Sequence, residues 1–207
     1  MAKKQDSAKQ PEAAKGAGTS APLDPNYKPA LLTRYNEQIR VGLKDELGLG
    51  NIMEVPKLRK IVLNMGVGEG SRDEKILIQA EADLTAIAGQ KPKRTKAKIS
   101  VANFKLRQGM PVGCCVTLRG PFMYEFLERL INVAIPRIRD FRGLSPRAFD
   151  GKGNYNFGIK EHQIFTEVDT DARTQTFGMN ITMVTTAQND LHCRALLKRF
   201  GMPFRES

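Results

Sequence analysis

The sequence has no tryptophan, only three cysteines and only two histidines in 207 residues. Cys114, Cys115 and Cys193 are too few and too unevenly spaced for a disulfide framework, and no Cys-x-x-Cys pair is present, which fits a reduced, cytosolic compartment. His192 stands beside Cys193, but that pair could hold a metal only with distant partners. The sequence therefore predicts neither a disulfide scaffold nor a metal site.

A long uncharged apolar run is also missing. The most apolar stretch, FMYEFLERLINVAIP, carries Glu125, Glu128 and Arg129, and no uncharged segment reaches the roughly 18 residues of a membrane span. Residues 1–22 contain lysines with no apolar core behind them, so they do not form a secretion signal. Because they have almost no large apolar side chain, we expect a disordered basic extension over 1–22, ahead of a single domain over 23–207.

Complete catalytic motifs are absent as well. GVGEG (Gly66, Gly68, Gly70) follows a predicted strand and precedes a predicted helix, which is the setting of a phosphate-binding turn. The dinucleotide fingerprint needs a third glycine where Ser71 stands, and the Gly-Lys-Ser/Thr of a P-loop is missing. With no triad and no supported carboxylate pair, the sequence predicts no enzyme and no cofactor. A nucleotide-binding α/β enzyme that uses GVGEG is the less favoured alternative.

Negative charge is absent from a long central stretch, because no acid lies between Asp83 and Glu125. Within it, KPKRTKAKISVANFKLRQG (residues 91–109) holds seven Lys and Arg residues. The chain carries +11 in all, and residues 1–22, with four lysines against two acids, supply only +2 of it. Such an excess attracts polyanions, of which nucleic acid is the commonest and anionic membrane the second. A solvated basic face is the alternative.

Helical and strand periodicities are mixed along the chain, which predicts an α+β fold. Strands with one polar face favour a mainly antiparallel sheet with helices packed on one face and the other, polar face open for RNA. The predicted helices cover 31–47, 76–88, 122–134 and DLHCRALLKRF, where Asn189 can cap; the predicted strands are LRKIVLNMGVG, VGCCVTLRG, GIKEHQIF and FGMNITMVTT. RIRDFRGLSPRAFDGKGNYNFG is expected to be a long basic loop.

The basic segment does not have the pattern of one buried strand. Ile99 and Val101 set one alternation and Phe104 and Leu106 another, so the slip between them predicts a turn, a bulge or an irregular loop. We expect an extended excursion that carries cations outward, and such a segment suits contact with phosphates.

Several segments together resemble a known family. KIVLNMGVGE, AIAGQKP, ANFKLRQGMPVGC, VTLRG, FLERLINVAIPRIRDFRGLS, FDGKGNYNFGIKEHQIF and RALLKRFGMPFR are similar in order and spacing to the bacterial large-subunit ribosomal proteins of family five. The resemblance runs from about Tyr27 to Arg205. It departs at the N-terminus, where family members usually begin close to the first helix.

The resemblance implies a non-enzymatic, cytoplasmic ribosomal protein. Members bind 5S rRNA, attach it to the large subunit in the central protuberance, and touch 23S rRNA and other proteins there. They also contact the peptidyl-site tRNA and bridge to a small-subunit head protein of family thirteen. A nonspecific basic RNA-binding protein is the alternative function.

The resemblance also implies three sets of contact residues. The family's 5S-contacting positions correspond to Asn64, Gln90 and Thr117, and Lys60 and Arg119 lie on the same predicted polar faces. The loop implied to reach tRNA carries Lys93, Arg94, Lys96, Lys98, Lys105 and Arg107, and Arg142, Arg147 and Lys152 are assigned to the inter-subunit side. From the residues alone, Asn64 and Thr117 could equally satisfy backbone groups or form cross-strand pairs.

Overall fold

A computed structural model describes residues 27–71, 73–168 and 175–205. The predicted N-terminal extension, 1–22, lies outside the described residues. Five strands form one sheet in the order β2-β3-β1-β5-β4, and every neighbouring pair is antiparallel. The strands are β1 (Leu58–Gly66), β2 (Lys93–Lys96), β3 (Pro111–Leu118), β4 (Asn154–Ile159) and β5 (Met179–Thr185).

The helical elements agree closely with the periodicity of the sequence. They are α1 (Ala30–Arg34), a π-helical turn (Tyr35–Ile39), α2 (Arg40–Glu46), α3 (Glu74–Ala88), α4 (Gly120–Arg129), a second π-helical turn (Leu130–Ala134) and α5 (Asp190–Phe200). Short 3₁₀ turns cover Gly68–Ser71, Ala102–Phe104, Ile135–Arg137 and His162–Ile164. Gly48 and Gly89, which follow α2 and α3, adopt positive φ angles of 62° and 65°, a conformation that ends a helix and favours glycine. Asp73 caps α3, since its carboxylate accepts from the Lys75 N–H at 2.9 Å.

The described helices bury their apolar stripes on one side of the sheet, where α3, α4 and α5 contact the strands and α1 packs on α4. On β1, Ile61, Leu63 and Met65 are fully buried, and the buried side chains of helices and strands form one continuous hydrophobic cluster. The alternation of β1 places Val62 and Asn64 on the opposite face, where they are half-buried. The predicted α+β sheet with helices on one side and a polar face on the other is therefore confirmed.

A buried polar pair joins α3 to the segment that follows β4. His162 and Asp83 have no exposed side-chain surface, and His162 Nε2 lies 3.3 Å from Asp83 Oδ2. His162 Nδ1 accepts from the Phe177 N–H at 3.0 Å. The imidazole thus satisfies a buried backbone donor just before β5 and faces a carboxylate with its other nitrogen, which ties three elements together.

Two predictions about local structure are wrong. Of GIKEHQIF, only Gly158 and Ile159 belong to a strand: β4 begins earlier, at Asn154, and His162–Ile164 is a 3₁₀ turn. The reason is that Tyr155 and Ile159 are the buried residues of the strand. His162 is buried for a different reason, since its ring lies beside Asp83 and accepts from the Phe177 N–H. Asn189 precedes α5 but makes no side-chain capping bond.

Candidate nucleic-acid interface

The open face of the sheet carries aligned rows of small polar side chains. Strand register puts Lys93, Cys115, Asn64, Asn180 and Gly158 in one transverse row that crosses all five strands. The adjacent row holds Thr117, Val62, Thr182 and Asn156. Directly opposed residues in neighbouring strands have Cβ atoms about 5 Å apart. The two rows therefore form a continuous surface that combines amide, hydroxyl and ammonium groups.

Within the described part of the chain, the amide and hydroxyl side chains of these two rows have no hydrogen-bond partner in the protein. Among the described residues, the side chains of Asn64, Thr117, Asn156, Asn180 and Thr182 make no hydrogen bond to the protein. All five are half-buried or exposed. The alternative that Asn64 and Thr117 satisfy backbone groups is therefore not what the structure has. Each can donate and accept hydrogen bonds to a ligand laid on the face.

One end of the open face is cationic. Lys60 pairs with Val184, and Ile61 pairs with Leu118, so Lys60 lies near Arg119. Arg119 follows β3 in extended conformation, with φ −142° and ψ 161°. Because it is two residues beyond Thr117, it lies on the same face of the sheet as Thr117. Lys93 supplies a third cation at the β2 edge. No acid lies in either row, so the polar surface is suited to a polyanion.

Gln90 lies beyond the sheet edge and is exposed. Gly89 ends α3 in the left-handed conformation, and Gln90 follows it directly. Because β2 runs antiparallel to β3 and Lys93 pairs with Cys115, the residues before Lys93 lie toward the Thr117 end of β3. The structure thus places Gln90 beside the end of the face that holds Thr117.

Cys115 lies in the middle of the open face, between Asn64 and Lys93 in the row. It is half-buried, and desolvation raises the pKa of its thiol. Cys114 faces the core, where burial raises its pKa to about 12. The two neighbouring cysteines therefore lie on opposite faces of the sheet. With thiols held protonated at neutral pH, neither is poised as a nucleophile.

The basic segment forms a hydrogen-bonded hairpin over residues 97–110, here called the basic hairpin. Ala97 N–H donates to the Met110 carbonyl at 2.8 Å, and Val101 and Leu106 exchange backbone bonds of 3.0 and 3.1 Å. The tip turns at Ala102–Phe104, and Lys105 follows with φ 55°. The predicted break in alternation is therefore a turn.

Cations and apolar groups are both exposed on the basic hairpin. Lys98, Lys105 and Arg107 are exposed, as is Lys96 at its root. Ile99 and Phe104 are each 70% exposed. A solvated charged loop has no need of two such exposed apolar side chains, so this combination favours a contact surface.

Three members of the predicted loop set lie in β2 rather than on the basic hairpin; Lys96 adjoins the root of the hairpin, whereas Lys93 and Arg94 are farther from it. Arg94 lies in β2, where its Nε binds Glu81 Oε2 at 2.8 Å and its Nη1 binds Glu74 Oε1 at 3.2 Å. The guanidinium is thus committed to α3. Lys93 pairs with Cys115 and belongs to the open face. The sequence pattern misses both placements because strand β2 alternates these two side chains between opposite faces.

The third predicted set lies on the connection from the Ile135–Arg137 turn to β4. Arg142, Arg147 and Lys152 are exposed. Two carboxylates organise this connection: Asp150 accepts from Lys152 N–H and Asn154 N–H, and Asp190 accepts from Gly151 N–H and Gly153 N–H, all at 2.9–3.1 Å. The three cations are therefore presented from a folded loop.

In the described residues, the GVGEG segment does not run directly into a helix as a phosphate-binding turn does. Residues Gly68–Ser71 form a separate 3₁₀ turn before α3, and the first turn of α3 is already bound by the Asp73 carboxylate. A phosphate would meet that carboxylate. Within the described ranges no cluster of three His, Cys, Asp or Glu side chains could hold a metal, and none of the described helices could cross a bilayer.

Sequence reasoning misses Asn156, Asn180 and Thr182. Because the sequence predicts a loop where β4 lies, it cannot predict on which face of the sheet Asn156 lies. In β5 the polar alternation is recognisable, but which strand it neighbours depends on long-range pairing. At the start of NITMVTT, polar residues occupy every second position, and Asn64 occupies such a position in LNMG. This shared alternation is the signal that could have placed Asn180 and Thr182 on the same face as Asn64.

Comparison with known proteins gives concordant matches to two family models. Residues 51–107 match the family described as ribosomal protein L5, and residues 111–204 match the model of the C-terminus of the same ribosomal family. The first match ends on the basic hairpin and the second begins with β3, and in the sheet β3 of the second region lies between β2 and β1 of the first.

Individual relatives match over most of the chain. The large ribosomal subunit protein uL5 of Psychrobacter cryohalolentis is 61% identical over 84% of this chain and 98% of its own length. The protein of the same name from Corynebacterium urealyticum is 55% identical over 89% of this chain and 95% of its own length.

Proposed function

Since this chain belongs to the uL5 family of ribosomal proteins, we propose that its open sheet face binds 5S rRNA and attaches it to the large subunit in the central protuberance. As a family member, the chain is a structural constituent of the large ribosomal subunit and not an enzyme. It acts in the cytoplasmic ribosome.

One observation supports this assignment most strongly. Asn64, Thr117, Asn180 and Thr182 project unpartnered hydrogen-bonding groups, within the described part of the chain, from an acid-free surface that spans adjacent strands. Phosphate contacts from Lys60, Lys93 and Arg119 would position the RNA, and the amides and hydroxyls would contact ribose and base edges. Gln90 extends the same surface beyond the β2 edge.

The basic hairpin is proposed to contact the peptidyl-site tRNA. Lys96, Lys98, Lys105 and Arg107 supply charge for the phosphates, and the exposed tip offers apolar surface to an RNA fold. The hairpin projects beyond the strands, so it can reach a second RNA while the sheet face stays occupied.

The connection that carries Arg142, Arg147 and Lys152 is proposed to face the small subunit, where a head protein of family thirteen would be its partner. Contact with 23S rRNA and with other proteins of the central protuberance completes the proposal. Support for these contacts comes from the exposure and charge of the connection and from the family resemblance.

A salt titration tests the 5S assignment. Three face cations that neutralise three phosphates would give a slope of log affinity against log salt of about −2 to −3. An unrelated RNA of equal length is the control. Tighter binding to 5S rRNA, and sedimentation of the protein with 5S rRNA on large subunits at high salt, are the expected results. Equal affinity for both RNAs would instead indicate a nonspecific basic binder.

A further inference from the structure

A groove lies between α5 and the chain that follows it, apart from the open sheet face and the basic hairpin; its second wall, Pro203–Arg205, is hydrogen-bonded to Leu144 of the connection that carries Arg142. Its volume is about 430 Å³. The lining combines aliphatic and aromatic groups with cations, chiefly Leu191, Arg194, Ala195, Lys198, Phe204 and Arg205.

One wall of the groove is a stripe of α5 that no other described element covers. Leu191, Arg194, Ala195 and Lys198 are spaced by three and four residues, so they share one helix face. The opposite stripe of α5, with Cys193, Leu196, Leu197 and Phe200, is buried in the core. Leu191 is 74% exposed. An aliphatic side chain so exposed at the start of a cationic stripe provides an apolar anchor point for a partner.

The charge of the groove is one-sided. Glu46 is the single acid of the lining, and Arg199 already binds its Oε2 through Nε at 2.9 Å and Nη2 at 2.8 Å. Arg194, Lys198 and Arg205 are exposed, and among the described residues none of the three makes an ion pair. The groove therefore offers three cations to an incoming anionic group.

The apolar part of the lining favours a protein segment over RNA. RNA would use aromatic faces for stacking, but the ring of Phe204 is engaged with Phe149 and Tyr155 at centroid distances of 6.0 and 5.4 Å. What remains open is aliphatic surface from Leu191 and Ala195. Such surface matches aliphatic side chains, and the flanking cations match carboxylates.

We propose that this groove is a docking site for an acidic protein segment that inserts one or two aliphatic side chains against α5. The carboxylates of that segment pair with Arg194, Lys198 and Arg205. The site is independent of the sheet face and of the basic hairpin, so it lets the protein engage a protein partner while it holds RNA.

A direct-binding measurement tests the proposal. The probe is a fluorescein-labelled synthetic peptide of about twelve residues in which leucines spaced three and four apart are separated by glutamates. Fluorescence anisotropy is expected to give a Kd in the tens of micromolar, about that of a small interface. A second peptide with serines in place of the leucines is expected to bind at least about fivefold more weakly, because it lacks the apolar anchor.

Matched variants assign the binding to the groove. Arg194→Glu with Lys198→Glu is expected to weaken peptide binding about tenfold or more, and Leu191→Ser about threefold to fivefold. Lys28→Glu with Lys75→Glu makes the same charge change on exposed residues elsewhere and is expected to leave peptide affinity within twofold. The affinity of the groove variants for 5S rRNA is expected to stay unchanged.

Three outcomes would overturn the proposal. One is absence of peptide binding at about 1 mM. Another is equal weakening by the groove variants and by the control pair. The third is displacement of the peptide by a single-stranded RNA oligonucleotide, together with loss of RNA affinity in the Arg194→Glu, Lys198→Glu variant, which would assign the groove to RNA.

Discussion

The substitution Asn64→Asp probes the open face at its centre. It keeps the shape of the side chain but replaces the amide donor with a carboxylate, in a row flanked by Cys115 and Asn180. Because the Asn64 side chain makes no bond within the described protein, the substitution should change the free energy of unfolding by less than about 0.5 kcal/mol.

The expected loss of affinity for 5S rRNA is much larger. An RNA acceptor left unsatisfied at a desolvated interface costs about 1–3 kcal/mol, and repulsion between the new carboxylate and phosphates adds to this. We therefore expect binding to weaken about thirtyfold, equivalent to about 2 kcal/mol. The assay is fluorescence anisotropy with labelled 5S rRNA at fixed salt.

Asn132→Asp supplies the matched control. Asn132 is exposed on the π-helical turn after α4, on the helical side of the molecule, and the substitution makes the same change in charge. Binding by Asn64→Asp within twofold of the unmodified protein, or an equal loss in Asn132→Asp, would refute the reasoning.

Three further predictions concern the hairpin, the strand pairing and the buried pair. Lys98→Glu with Lys105→Glu should weaken peptidyl-site tRNA binding to reconstituted large subunits about tenfold yet spare 5S affinity; weakening of both RNAs alike would contradict the division of surfaces, and Lys28→Glu with Lys75→Glu is the control. Gly113→Ala should lower the free energy of unfolding in urea by about 1–3 kcal/mol, because the added Cβ would lie 2.4 Å from the Met65 carbonyl oxygen, whereas Gly66→Ala, across the same pair, meets open space; equal effects of the two would disprove this. His162→Gln should cost about 3 kcal/mol, since it breaks a buried pair, while His192→Gln on the half-buried surface of α5 should cost under about 0.5 kcal/mol; similar urea midpoints for both would count against the stabilising role of the His162–Asp83 pair.

Local patterns in the sequence are enough to predict the orientation of individual strands. From Ile61 in β1 and from Cys114 in β3, every second residue is apolar and predicted to be buried. The residues between them, which include Asn64 and Thr117, must therefore lie on the face away from the core. Glycine stops fix the ends of the first helix and of α3, where a positive φ is required.

Features that depend on distant residues cannot be predicted in this way. The commitment of Arg94 to Glu81 and Glu74 depends on how β2 packs beside α3. The alignment of Asn180 with Asn64 depends on which strand lies next to β1. β4 escapes prediction because two asparagines and a glycine make up half of its sequence, and the buried alternation consists only of Tyr155 and Ile159 with a half-buried Phe157 between them.

Alkylation of Cys115 tests the central claim most directly, since this thiol lies in the middle of the proposed RNA surface. Cys114 and Cys193 are buried with pKa values raised to about 12, so Cys115 should be the site that reacts in the folded protein. Its own pKa is raised by desolvation, and only the thiolate reacts, so the rate should rise about tenfold per pH unit from pH 7 to 8.5.

The decisive measurement is the rate of N-ethylmaleimide modification of Cys115 at pH 8, followed by mass spectrometry, with 5S rRNA and with an unrelated RNA of equal length. Binding of 5S rRNA through the sheet face predicts that 5S rRNA slows the reaction at least about tenfold at saturation, while the unrelated RNA has little effect. An unchanged rate in a complex that demonstrably contains 5S rRNA would contradict that binding mode.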